Sequence, residues 1–160
     1  MEKVEKAVLE IYKPPIGGQK PPGTLEKEVP FQFNPAQITL VKETSWVRHT
    51  TRLAPYAAVP EFVGSQPTML TMTIVLDATK PNDESVDNRV RTLLECCRPE
   101  DRSVTNNQSS PPWVMLRWGH CKAANFHSVV RRLSVQFTRF SSNGYPLRAV
   151  CELALEEVGT

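Results

Sequence analysis

The stretch Phe62 to Cys97, FVGSQPTMLTMTIVLDATKPNDESVDNRVRTLLECC, decides the fold, because the period of its apolar residues changes partway along it. Between Thr68 and Thr79, Leu70, Met72, Ile74 and Leu76 take every second place while Thr71 and Thr73 fill the other face. That alternation predicts a half-buried strand. From Val86 the spacing lengthens, and Val86, Val90, Leu93, Leu94 and Cys97 form one stripe of a helix. Asp83 or Ser85 is placed to cap the first turn, and Pro99 disfavours helical geometry at Arg98, so the helix should stop near Cys97. This is the one strong helical pattern; the rest of the chain should build the sheet it covers.

Working outward, Lys6 to Tyr12 alternates with Ala7, Leu9 and Ile11 on one face and predicts a first strand, followed by a loop rich in proline and glycine. Gly18 to Thr24, GQKPPGT, imitates the glycine spacing of a phosphate loop. It lacks the lysine, its prolines remove N–H donors, and no helix pattern follows, so it is read as a surface loop. Glu28 to Phe33 alternates through Val29, Phe31 and Phe33; Asn34-Pro35 turns the chain into a strand at Ile38 to Trp46. Pro111 to Gly119 carries apolar residues on both faces, as in a strand covered on two sides, with Trp113 and Trp118 as core or interface anchors. At the end, Leu133, Val135 and Phe137 alternate, Ser141 to Gly144 turns, and Leu147, Ala149, Cys151, Leu153 and Leu155 alternate back: a hairpin.

Between Val47 and Gln66 this pattern is lost for about 20 residues, longer than a compact domain usually leaves irregular. Leu53, Tyr56, Val59 and Phe62 put much apolar area there. Two readings stand: a loop packed on its own domain, or an arm laid across a neighbouring subunit.

With 160 residues, the chain should form a single domain, 1–160, able to bury a core without metal or disulfides. A net charge of +2 gives no reason to expect nucleic acid or an anionic membrane as partner. No apolar run reaches the length of a membrane span, and charges interrupt the start where a secretory signal would have its apolar region, so a cytoplasmic protein is expected. Cys96, Cys97, Cys121 and Cys151 lack zinc or redox spacing and are read as reduced thiols. His120, Cys121, His127 and Cys151 do not recur at metal-module intervals, no nucleophile and base with an orienting third group is legible, and no metal, cofactor or catalytic residue is assigned. The acidic group Asp77, Asp83, Glu84 and Asp87 lacks a calcium-loop pattern and suits helix capping. The Asn107-Gln108-Ser109 sequon is disregarded for want of a signal peptide. Arg131, Arg132, Arg139 and Arg148 make either a solvated positive face or a channel lining.

Several stretches together, FQFNPAQITLVKETSW (Phe31 to Trp46), PEFVGSQPTMLTMTIVLD (Pro60 to Asp77), PPWVMLRWG (Pro111 to Gly119) and VQFTRFSSNGYPLRAVCELAL (Val135 to Leu155), resemble the tube-domain proteins of contractile injection systems, which are phage-tail-like particles. The chain looks most like the tube domain of the LysM-bearing baseplate protein, without room for a C-terminal LysM domain after Glu157. The resemblance implies a phage tail-tube-like, mainly β fold: two packed antiparallel sheets approaching a barrel, with one flanking α-helix. It also implies a structural, non-enzymatic subunit: a hexameric adaptor or tube-initiator ring in the baseplate, touching spike hub and tube proteins, with the Val47 to Gln66 segment as its inter-subunit arm. A small-ligand or carbohydrate-binding β-sandwich is the alternative; it would require a concave pocket with convergent polar groups.

Overall fold

The computed structural model describes residues 3–15, 23–51, 54–101, 103 and 109–159, with only the backbone described at 50–51 and 54–58. In chain order the elements are β1 (Val8–Tyr12), β2 (Leu25–Pro30), β3 (Ile38–Val41), β4 (Thr44–Thr51), β5 (Ala54–Ser65), β6 (Met69–Asp77), α1 (Ser85–Glu95), β7 (Trp113–Arg117), the 3-10 turn η1 (Lys122–Ala124), β8 (Ser128–Phe140) and β9 (Pro146–Glu157). Seven strands form one antiparallel sheet in the order β2-β1-β7-β8-β9-β6-β3, while β4 and β5 pair only with each other. Across the described residues the protein is mainly β, with two antiparallel sheets and the helix α1 on their flank. No barrel closes among the described residues: β2 and β3 remain as the two edges of an open sheet.

The alternation of β6 and β9 explains where the core lies. Leu70, Met72, Ile74 and Leu76 pair in register with Leu155, Leu153, Cys151 and Ala149, so all eight share one face. They are buried with Leu9, Ile11, Val114 and Leu116 from β1 and β7. The helix contributes Val86, Val90 and Leu93 to this cluster and packs on β8 and β9. Each such aliphatic side chain contributes roughly 1.5 to 3 kcal/mol by leaving water, so this face dominates the folding energy. Helix α1 starts one residue before its expected position, and the Asp83 carboxylate accepts a 2.9 Å hydrogen bond from the Ser85 N–H. That bond, and then the Ser85 hydroxyl, hold the Asp83 carboxyl below its ordinary range.

Three local expectations are corrected. The second strand lies at Leu25–Pro30, upstream of Glu28 to Phe33; Phe31 is buried beyond its end, and Phe33 is exposed. Asn34 accounts for the stop: its side-chain oxygen accepts from the Ala7 N–H and its amide donates to the Glu5 carbonyl, both at 2.8 Å, satisfying the backbone ahead of β1 from a turn. The run Ile38 to Trp46 is not one strand but two, interrupted at Lys42-Glu43. The segment from Val47 to Gln66 is not an irregular loop: nearly all of its described part belongs to the β4–β5 hairpin.

The final hairpin is as expected. Gly144 takes φ +85°, a left-handed conformation that glycine adopts without strain, and donates a 3.0 Å bond to the Ser141 carbonyl. The residues of the glycine-rich phosphate-loop mimic up to Pro22 lie outside the described residues, as do Asn107 and Gln108. Among the described residues no helix is long and apolar enough to cross a membrane.

Candidate assembly interface

The β4–β5 hairpin continues the β3–β6 pair past the end of the sheet. Val41 pairs with Met69, the chain breaks at Lys42-Glu43 and at Gln66 to Thr68, and pairing resumes at Thr44 with Ser65. Eight residues of β4, at roughly 3.3 Å each, carry this ribbon about 26 Å outward. Each of its strands has a free edge, which explains how Pro60 sits inside β5: a missing N–H is tolerated where it would face outward.

Its composition is wrong for a solvated ribbon. Trp46 pairs with Phe62 across the strands, with ring centroids 5.3 Å apart in an edge-to-face arrangement. Yet Trp46 is 54% and Phe62 53% exposed, and Val47, Val59 and Val63 are exposed as well. Register places Trp46 and Phe62 on one face, and Val47, His49, Val59 and Glu61 on the other. Val63 is the extra residue of a bulge, since Ser45 pairs with Gly64 and Trp46 with Phe62. His49 Nε2 and Glu61 Oε2 are 2.6 Å apart on the valine face. Both faces thus present apolar groups to solvent in a chain whose core lies elsewhere.

Of the four residues that the sequence singles out here, Val59 and Phe62 fall on opposite faces of β5. Tyr56 lies on β5 with only its backbone described, and Leu53 lies outside the described residues. Trp46, Val47 and Val63 belong to the same surface and escaped the sequence reading. Their signal was available in TSWVRHTT, a run rich in β-branched and aromatic residues, but the prolines of β5 masked its partner strand.

The two sheet edges differ. Edge strand β2 carries Glu26, Lys27 and Glu28 and ends in Pro30, features that guard an edge against pairing. Edge strand β3 is ITLV, with Leu40 and Val41 exposed and no such guard. The outer face of the sheet carries an open groove of about 600 Å³, lined by Thr39, Thr71, Thr73, Arg132 and Glu152 together with the apolar Phe33, Ala36 and Val75. Two of the four arginines are paired: Arg131 with Glu156, and Arg139 with Asp77 at 3.0 Å and with the Ala78 carbonyl.

The remaining chemistry-bearing groups are spread apart. Cys151 is buried in the core face of β9, Cys121 is exposed, and among the described residues no three His, Cys, Asp or Glu side chains gather to hold a metal. His127 sits between the rings of Tyr12 and Trp113, its Nδ1 buried without a hydrogen-bond partner. Beside Tyr12, the buried Glu10 carboxylate accepts from the Tyr12 hydroxyl and from Arg117 Nε at 2.8 Å. Burial, and then the bond to Glu10, push the Tyr12 phenol up to about 12. Both oxygens of Glu10 are thus paired, one with Tyr12 and one with Arg117.

No individual curated protein matches the sequence. The family model described as contractile injection system tube protein matches residues 3–160, which is nearly the whole chain. An open antiparallel sheet with an unguarded edge and a projecting apolar ribbon is the equipment of a subunit that assembles with others, and by this match the chain belongs to the contractile injection system tube protein family.

Proposed function

We propose that the protein is a non-enzymatic, single-domain subunit of the inner tube or baseplate of a contractile injection particle, forming an adaptor or initiator ring between spike hub and tube. The observation that carries this reading is the β4–β5 ribbon, whose Trp46, Val47, Val59, Phe62 and Val63 are exposed although the chain has a well-formed core to bury them in. Patches of this kind mark protein contacts. In the ring, the projecting ribbon and the unguarded β3 edge of one subunit meet a different surface of the next. A head-to-tail contact of this kind closes into a ring when its rotation permits, and a six-membered ring fits the family resemblance. The subunit is made in the cytoplasm and joins the particle there.

The test is imaging of the purified protein alone and mixed with its tube and spike proteins, by negative stain and cryo-electron microscopy. Rings located between spike and tube are expected. A monomer that joins no ring under any mixture refutes the assignment, and rings found only within the main tube refute the adaptor role.

A further inference from the structure

The ribbon leaves the sheet through a gap in strand pairing, and one backbone hydrogen bond, from the Gln66 N–H to the Glu43 carbonyl at 2.8 Å, spans that gap. Beside it the Gln66 side-chain amide donates to Ser45 Oγ at 3.1 Å; both bonds join one leg of the ribbon to the other, and neither ties the ribbon to the main sheet. An anchor to the sheet sits immediately below them. The Glu157 carboxylate oxygen Oε1 accepts from Lys42 Nζ at 3.1 Å, from the Thr68 N–H at 3.1 Å and from the Thr68 hydroxyl at 3.2 Å. Lys42 belongs to the leg running out to β4, and Thr68 to the leg returning from β5. The Glu157 N–H donates in turn to the Thr68 carbonyl at 2.8 Å.

We infer that Glu157 is the positioning residue of the assembly arm: one carboxylate ties both legs of the ribbon to the end of the sheet and so fixes the direction in which the arm projects. This inference rests on reading the ribbon as an arm. The carboxylate has a rigid base, because Glu157 pairs with Ser128 on β8, and the buried Ser128 hydroxyl donates to the Val114 carbonyl on β7 at 2.9 Å. The clasp therefore links three strands of the main sheet to the joint. Lys42 is half exposed, so its ion pair alone would hold weakly; charge-assisted bonds from the Thr68 amide and hydroxyl give the clasp its geometry. A clasp that fixes direction reduces the ordering cost of docking, which is how it acts on assembly without touching the partner.

The experiment compares the parent, Glu157→Ala and Glu157→Gln, with Trp46→Ala/Phe62→Ala beside them, by hydrogen exchange on the free protein and by ring assembly against concentration. In Glu157→Ala, exchange at the Gln66 and Thr68 amides should rise on the order of tenfold while core amides of β6 and β9 keep their protection. Assembly should require a several-fold higher concentration. Glu157→Gln retains an acceptor for Thr68 and should fall between parent and alanine on both readouts. Unchanged exchange at the joint, or exchange rising equally through β6 and β9, overturns the clasp. If Trp46→Ala/Phe62→Ala fails to assemble while Glu157→Ala assembles as the parent does, the arm stands and the clasp falls. If Trp46→Ala/Phe62→Ala assembles normally, the arm reading itself fails, and Glu157 loses the role proposed for it.

Discussion

Replacing Trp46 and Phe62 together by alanine separates the folding role of the β4–β5 ribbon from the assembly role proposed for it. In the free subunit each ring is already about half in water, Trp46 at 54% and Phe62 at 53%, so folding gains little from them beyond their mutual contact. An edge-to-face pair contributes roughly 0.5 to 1.5 kcal/mol beyond its buried area, and for a chain of this size about 1 kcal/mol shifts the melting temperature by 2 to 4 °C. The double variant should therefore melt only a few degrees below the parent. Assembly should respond more strongly. Burying the exposed half of each ring against a partner contributes roughly 1 kcal/mol per ring, half of the 1.5 to 3 kcal/mol for a full side chain. Two rings then amount to about 1.5 to 3 kcal/mol per arm, or roughly a 10- to 150-fold weakening of each contact. Leu153→Ala supplies the contrast, since that side chain is buried between β6 and β8 and its truncation should cost about 2 to 5 kcal/mol of folding stability. Thermal melting of the free subunit and sedimentation velocity across a concentration series measure the two effects. Assembly of the double variant at the parent's concentration refutes the arm, and so does a fall in melting temperature as large as that of Leu153→Ala.

Acid should release the joint of the arm. The Thr68 amide first, then Lys42, hold the Glu157 carboxyl below its ordinary value, so its contribution is present above the usual carboxylate range and lost as pH falls through the lowered folded value. Stability against pH, parent minus Glu157→Gln, should show a difference at neutral pH that vanishes in strong acid; a constant difference contradicts this. The thiols should divide into two pairs: burial pushes Cys96 up to about 12 and Cys151 up to about 11, so alkylation near pH 8, followed by mass spectrometry, should modify Cys97 and Cys121 and reach the other two only on unfolding. Glu10→Ala removes the acceptor shared by Tyr12 and Arg117 and should lower stability by about 1 to 3 kcal/mol, with the Tyr12 absorbance titration moving back toward that of a free phenol.

The legible parts of the fold were those where burial is one-sided. On β6 and β9 each buried residue alternates with an exposed or half-exposed one, so a period of two in the letters is a direct image of the core, and the stripe of α1 is the same image at helical period. Among its described side chains the β4–β5 ribbon has no buried face in the free subunit. Apolar residues stand on both sides of it, Trp46 and Phe62 on one and Val47 and Val59 on the other, so alternation cancels and the run resembles an irregular loop. Strand breaks were hidden for a different reason. The interruption at Lys42-Glu43 is not a matter of local preference but of where the sheet ends, and Glu157, more than a hundred residues away, supplies what holds the chain there. The clasp was illegible because no local spacing links Lys42, Thr68 and Glu157.

The failure of alternation on the ribbon is itself informative about assembly. A strand that folds against its own chain has one partner and one apolar face. A ribbon that exposes apolar side chains on both faces, with Val47 and Val59 beside the His49–Glu61 pair on one of them, can bury all of them only between two surfaces, since a single flat neighbour would leave either Trp46 with Phe62 or Val47 with Val59 in water. If the ribbon is the proposed arm, its two faces favour insertion between neighbours over contact with one. The consequence is specific: Trp46→Ala/Phe62→Ala and Val47→Ser/Val59→Ser should each impair assembly, with losses that add if the faces meet different neighbours and that overlap if they meet the same one. A valine pair whose replacement leaves assembly untouched would assign its face to solvent and reduce the arm to a one-sided contact.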